Sequence, residues 1–177
     1  STPIQLCLMT AQLANGGYKI KPRIILDNKN NNLKDYLDFK SQNPSEPLTS
    51  ELLLKRFSLK RLFKNQKNID IVKDAMFSSS NEPGGTSYRH RMENPKFTFA
   101  GKTGSSQIKR FTEAQREAEV KQIDLSYKDR DHALFIAFAP YEDPKYAISV
   151  VVEHGGSGGS TAAPIAKKVI KKVLERH

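Results

Sequence analysis

The chain has 177 residues, 37% of them hydrophobic, and its 29 Lys and Arg outnumber 19 Asp and Glu to leave a net charge of +10. That is enough for one domain with its own core, while a mean hydropathy of −0.59 demands a surface rich in charged loops. No apolar run reaches the roughly 18 residues of a membrane span, no basic-then-apolar leader opens the chain, and the lone cysteine, Cys7, excludes an internal disulfide and a cysteine-built zinc site.

Thr2 can cap a helix over about residues 3 to 15, with Pro3 suited to its first position and Gly16-Gly17 to its end. Ile4, Cys7, Leu8, Ala11 and Ala14 recur at three- and four-residue spacing, so they form its buried face and Cys7 reads as a buried, inert thiol. A chain that starts in the first turn of a helix reads as a piece of a longer protein, with any targeting signal upstream. Residues 18 to 26, "YKIKPRIIL", are extended, and Pro22 excludes a central strand. The Asn- and Lys-rich residues 27 to 48 read as a surface loop.

Helical segments are expected over 49 to 64 and 67 to 78, the second broken by "SSNEPGGTS". Within "LLLKRFSLKRLFKNQKNIDIVK" basic residues alternate with Leu and Phe at helical spacing. A solvated helix face is the first reading of that block, and contact with RNA or anionic lipid the second. Residues 97 to 108, "FTFAGKTGSSQI", have the aromatic and small-residue character of a strand. Thr112 and Gln115 then make a capping box for a short, charged, exposed helix.

Strands are expected at about 132 to 140 ("HALFIAFAP") and 146 to 154 ("YAISVVVEH"). The turn residues Asp143-Pro144 join them as an antiparallel hairpin, and their near-continuous apolar character has both faces covered. "EHGGSGGSTAA" leads into a closing helix over 160 to 176 with an apolar stripe of Ala162, Ile165, Ala166, Val169, Ile170 and Val173. This glycine run lacks the lysine that a phosphate loop places before its Ser or Thr, because Gly159 precedes Ser160; a tight structural turn is the better reading. His90, His132, His154 and His177 show no metal-ligand spacing, and no cofactor is expected. The fold class is α+β, an antiparallel sheet of three strands within 97 to 154 flanked by helices.

Lys102-Thr103-Gly104 is a short motif, but its setting is informative. A Lys-Thr-Gly strand followed by an antiparallel hairpin and a closing helix is how the serine penicillin-recognising enzymes present it. The likeness extends to "TPIQLCLMTAQLANGG", "GKTGSSQ", "RDHALFIAFAPYEDPKYAISVVVEHGGSGGS" and "AAPIAKKV". Together these stretches resemble the C-terminal part of class B penicillin-binding proteins of the penicillin-binding protein 2 type, the D,D-transpeptidases that cross-link peptidoglycan during elongation.

That resemblance implies a five-stranded sheet between helices, with the missing strands and the helical half upstream. It implies that Lys102 lines the active site, supporting proton transfer and attracting the substrate carboxylate. Thr103 and Ser105 would offer hydroxyls to the terminal carboxylate of a stem peptide or β-lactam. Gly104 would leave the strand face open, and the Ser105 backbone N–H would be one oxyanion-hole donor. Many relatives have Thr where Ser105 stands, and Ser keeps the hydroxyl.

The family acylates a serine in an S-x-x-K motif and uses an S-x-N motif. Neither Ser58, followed at the third place by Arg61, nor Ser126, followed by Asp129, starts an S-x-x-K, so no nucleophile is expected in this chain and the piece alone should be inert. Ser79-Ser80-Asn81 matches S-x-N, but the family's copy precedes the helix that opens this chain, so the match reads as coincidence. Implied partners are the peptidoglycan stem peptide, β-lactams, the upstream half of the domain and a cell-elongation glycosyltransferase complex, with no nucleic acid. The implied location is the periplasmic face of the bacterial inner membrane, with the anchor outside this chain. A serine β-lactamase or β-lactam sensor shares the Lys-Thr-Gly motif and is the alternative enzyme reading. A basic, non-enzymatic binding module using residues 55 to 73 is the alternative of another class.

Overall fold

The computed structural model describes residues 2–22, 24, 32–43, 45, 57–109, 113 and 121–176. Its main elements are α1 (Pro3–Ala14), α2 (Asn32–Gln42), α3 (Gln66–Asn81), β1 (Ala100–Ser106), β2 (His132–Ala139), β3 (Tyr146–Val152) and α4 (Ala163–Leu174). The strands form one antiparallel sheet in the order β1-β2-β3. Lys102 stands opposite Ile136 and Ser105 opposite Ala133, while Ala137 stands opposite Ile148. The fold is the expected α+β arrangement.

Alternation along β2 sends its side chains to two cores. Ala133, Phe135, Ala137 and Ala139 pack with Ala162, Ala163, Ala166 and Ile170 of the closing segment. Phe138, with Ala100, packs on the other face against Ala14 of α1 and Met76 of α3. Both faces of β2 are therefore covered, whereas β3 is only half-buried and Val151 on it is 37% exposed, so the expected two-sided cover holds for β2 and not for β3. The alanines that open α4 present little bulk, which lets its backbone lie close to the sheet. Ile165 and Val169 do not belong to the buried stripe, being 41% and 45% exposed. They flank the face that the alanines and Ile170 define.

The cap of α1 forms as its residues demand. The Thr2 hydroxyl accepts from the Gln5 N–H at 3.3 Å, and the Gln5 side chain accepts from the Thr2 N–H at 2.9 Å. Gly16 and Gly17 then take φ of +88° and +85°, a region in which side chains are strained. Ile4 departs from the expected face, being 57% exposed, whereas Thr10 is fully buried with its hydroxyl donating to the Leu6 carbonyl at 2.8 Å. Cys7 is half-buried and its thiol donates to the Ala147 carbonyl at 3.5 Å. Burial pushes that thiol's pKa up, which suppresses the thiolate.

The loop expected over 27 to 48 contains the helix α2. Tyr36 is buried, with its ring 5.7 Å from Tyr18 and 5.6 Å from Phe57, and Phe39 lies 5.5 Å from Phe57. Two aromatics at an i, i+3 spacing anchor the helix against this small second core, a signal that the surrounding Asn and Lys outweigh in composition. The helix expected over 49 to 64 is not continued beyond Phe57. Ser58 has φ +51° and Arg61 bridges to Tyr18 in antiparallel fashion, so the basic block 58 to 64 presents no helical face. Residues 49 to 56 and the capping pair Thr112 and Gln115 lie outside the described residues.

Tyr141 links the hairpin to α3, donating its hydroxyl to Asp74 Oδ1 at 2.6 Å with its ring 4.6 Å from Phe77. The bond to Asp74, with burial second, pushes the phenol pKa up to about 12 from its ordinary 10. A raised folded-state pKa means that the protonated phenol's contribution to stability is complete below about pH 10 and is lost as pH rises toward 12. Urea unfolding at stepped pH should therefore show Tyr141→Phe less stable than the parent below pH 10, with the gap closing above it. A gap constant across that window would refute the linkage.

Candidate active site

The Lys-Thr-Gly motif occupies the middle of β1, the edge strand of the sheet among the described residues. Residues 98 to 101 enter the strand with Phe99, Ala100 and Gly101 buried, which fixes the strand before it reaches the motif. Burial then falls off: Lys102 is exposed, Thr103 and Gly104 are half-buried, and Ser105 and Ser106 are exposed. A buried root thus carries an accessible end.

Among the described residues, the outer edge of β1 is occupied only at its root. The Asn81 side chain donates to the Phe99 carbonyl at 2.9 Å and the Ser80 hydroxyl to the Gly101 carbonyl at 3.2 Å. Alternate residues of a strand send their backbone groups to the same edge. The backbone groups of Thr103 and Ser105 therefore face outward too, beyond the reach of α3. The Thr103 carbonyl accepts the Lys102 ammonium at 2.8 Å. What remains is a short length of strand edge able to pair with an extended peptide, with an ammonium at its side.

Hydroxyls cluster at the start of that edge. Thr103 Oγ1 donates to Thr86 Oγ1 at 2.9 Å, and Ser79 Oγ lies 3.2 Å from Thr86 Oγ1. Behind them the fully buried Ser80 hydroxyl lies 3.0 Å from that of Ser87, which donates to the Ser79 carbonyl at 3.2 Å. Thr103 thus carries the Lys102 ammonium on its carbonyl and the Thr86 hydroxyl on its side chain, and a cation with hydroxyls along one strand edge suits a carboxylate.

The glycine loop after β3 closes the other side. A Cβ on Gly158 would collide with the Leu134 carbonyl oxygen and lie 2.5 Å from the Gly104 carbonyl oxygen and 2.9 Å from its nitrogen. A Cβ on Gly159 would lie 2.7 Å from the Thr86 carbonyl oxygen. These glycines let the loop press directly onto the motif strand. Gly104 itself is less constrained than expected, since a Cβ there would meet only Leu134 Cβ, at an ordinary 3.5 Å. The steric demand for glycine at this point lies on Gly158, across the contact.

The structure brings Lys102, Thr103, Gly104 and Ser105 together and adds Thr86, Ser80, Asn81 and Gly158. A chain-breaking "PGGTS" conceals the hydroxyl of Thr86, which only tertiary contact brings to Thr103. The Ser79-Ser80-Asn81 match to S-x-N serves the backbone, with Asn81 turned to the carbonyls of Phe77 and Phe99. Contrary to the expectation that the chain holds no S-x-x-K, that spacing does occur at Ser106-Gln107-Ile108-Lys109. Ser106 ends a strand rather than lying on a helix, and Lys109 is paired with Asp129 at 3.0 Å, so this lysine does not activate that serine. The pairing holds the Asp129 carboxyl below its ordinary pKa.

The model of the family described as "Penicillin binding protein transpeptidase domain" matches residues 1–171. The peptidoglycan D,D-transpeptidase MrdA of Salmonella typhimurium strain LT2 is 30% identical over 175 residues, covering 99% of this chain and 25% of the relative. MrdA of Acinetobacter baumannii is 31% identical over 171 residues, covering 96% of this chain and 22% of the relative. The chain thus spans about a quarter of the length of these relatives. Among solved structures, the complex of PBP2 and MreC from Helicobacter pylori matches with a TM-score of 0.68 and 28% identity, over 99% of this chain and 25% of that one. PBP2 of Pseudomonas aeruginosa in complex with WCK 5153 matches with a TM-score of 0.61 and 27% identity, over 98% of this chain and 30% of that one. The chain belongs to the penicillin-binding protein transpeptidase domain family.

Proposed function

We propose that this chain is the C-terminal part of the catalytic domain of a peptidoglycan D,D-transpeptidase that is acylated by its donor peptide and by β-lactams. The observation that carries the reading is the edge of β1. An extended peptide paired with Thr103 and Ser105 antiparallel to β1 would run its C-terminus toward Gly101, where Ser80 and Asn81 already fill the edge. A peptide pairing there has to end beside the Lys102 ammonium and the Thr103 and Thr86 hydroxyls. That is the arrangement needed by an acyl donor with a free terminal carboxylate.

In this reading the Ser105 N–H polarises the carbonyl under attack and stabilises the oxyanion that forms on it. Lys102 attracts the carboxylate and supports proton movement, and Thr103 and Ser105 supply hydroxyls to the carboxylate. Gly104 leaves its face of the motif strand free of a side chain. The attacking serine comes from the upstream half of the domain, so a covalent intermediate requires both halves. By likeness to the H. pylori protein solved with MreC, an MreC-type partner suits the intact protein, as does a cell-elongation glycosyltransferase complex. The periplasmic face of the inner membrane is the location this chemistry needs, because peptidoglycan is cross-linked there.

A fluorescent penicillin should label a protein that carries the upstream half, in a band competed away by excess unlabelled penicillin. Intact-mass spectrometry of the 177-residue chain alone should show no adduct. Absence of labelling in the longer protein would overturn the function, and an adduct on the shorter one would overturn the absence of a nucleophile.

A further inference from the structure

The β1–β2 ladder ends at Ser106 opposite His132, yet β1 is tied for two residues more by a side chain. The Ile108 N–H donates to Asp131 Oδ1 at 3.2 Å. Asp131 Oδ2 accepts from Gln122 Nε2 at 3.0 Å, and the Asp131 N–H donates to Gln122 Oε1 at 2.8 Å. The Asp131 carbonyl accepts from the Gly156 N–H at 2.8 Å. One residue thus joins the exit of β1, the returning end of the excursion between β1 and β2, the entry to β2 and the loop after β3. A Cβ on Gly156 would lie 3.2 Å from Gln122 Cβ, so that loop sits close against the same junction.

Of the motif residues Lys102, Thr103, Gly104 and Ser105, Ser105 lies nearest this junction, three places before Ile108. On the outer edge, α3 holds the strand at Phe99 and Gly101 but not beyond. The loop that Asp131 holds through Gly156 is the one whose Gly158 presses on Gly104, next to Ser105. A carboxylate is a stronger acceptor for a backbone N–H than a neutral oxygen. The neighbouring Lys109–Asp129 pair, with side chains 47% and 38% exposed, is a weak substitute.

We propose that Asp131 is a positioning residue for the Ser105 N–H, a clasp that sets where the oxyanion donor stands; this rests on the transpeptidase reading above. It acts through the backbone and does not touch substrate. A group that places a donor affects the chemical step more than ground-state binding, because the oxyanion develops only in the transition state.

The test uses the full-length protein and stopped-flow acylation by a fluorescent penicillin, which separates the limiting acylation rate from the dissociation constant of the preceding complex. Asp131→Ala should lower the limiting rate by about 10- to 100-fold, the scale of an ångström-sized misplacement, and move the dissociation constant by less than about threefold. Asp131→Asn, which keeps an oxygen for the Ile108 N–H but turns a donor toward Gln122 Nε2, should recover part of that loss. Ile108→Pro removes the donor N–H while leaving Asp131 in place and should reproduce the Asp131→Ala loss, so the idea stays testable if one variant fails to fold. A limiting rate within twofold of the parent in Asp131→Ala or Ile108→Pro would overturn the clasp. So would equal impairment by Asn and Ala, or a loss carried entirely by the dissociation constant. A parent that is not acylated at all refutes the transpeptidase reading instead, so the two failures are distinguishable.

Discussion

Lys102→Ala, made in a protein carrying both halves of the domain, should lower the rate of acylation by fluorescent penicillin by about 100-fold or more. Two losses combine in that figure. A side chain positioned for proton transfer contributes typically about 10²- to 10⁴-fold, and in the proposed function the same ammonium, held at the Thr103 carbonyl, attracts the substrate carboxylate. Lys102 is exposed at the edge of the sheet, and its ammonium is held by the Thr103 carbonyl at 2.8 Å. Lys102→Arg keeps the charge but replaces a compact ammonium that can shed a proton with a planar group that does not. It should restore binding more than rate. The folded state should hardly notice either change, because the side chain supports no core. Undiminished labelling in Lys102→Ala would remove this lysine from the mechanism.

Gly158→Ala should destabilise the fold by about 3 kcal/mol, the upper end of what overpacking costs, and reduce labelling as well. The methyl group would meet the Leu134 carbonyl oxygen and, at 2.5 Å and 2.9 Å, the carbonyl oxygen and nitrogen of Gly104. All three are backbone atoms of paired strands and cannot rotate aside. Either the loop lifts or β1 shifts, and both disturb the motif. Gly84→Ala is the control: its φ is +89° with nothing within 4 Å of an added Cβ, so it carries backbone strain alone, about 1–2 kcal/mol. Urea unfolding curves compare the two directly. If Gly158→Ala were no more costly than Gly84→Ala, close approach of the loop would not be what requires glycine there.

Much of this molecule can be read along the chain. The hairpin of β2 and β3 shows in two apolar runs around Asp143-Pro144, and the start of α1 shows in Thr2 and Pro3. The Lys-Thr-Gly strand is legible because motif, hairpin and helix follow in order. α2 is not legible that way, because its anchors Tyr36 and Phe39 are diluted by polar residues and acquire meaning only against Tyr18 and Phe57. Ile4, Ile165 and Val169 mark the opposite limit. Periodicity identifies the apolar side of a helix, but not how much of that side a neighbour covers.

By itself the sequence determined the fold class, the strand that carries the motif and the identity of Lys102, Thr103 and Ser105 as the chemical groups on it. Those are local properties, set by side-chain alternation, turn chemistry and short-range order. Only the tertiary structure decided that Asn81 and Ser80 stop the outer edge of β1, that Thr86 joins Thr103, that Gly158 rather than Gly104 bears the steric demand, and that Asp131 clasps the strand's far end. Each of these contacts joins segments separated by seventeen residues or more in the chain. Hydrogen bonds and steric exclusion act over a few ångströms in space, so no local pattern of residue types encodes them until the chain has folded.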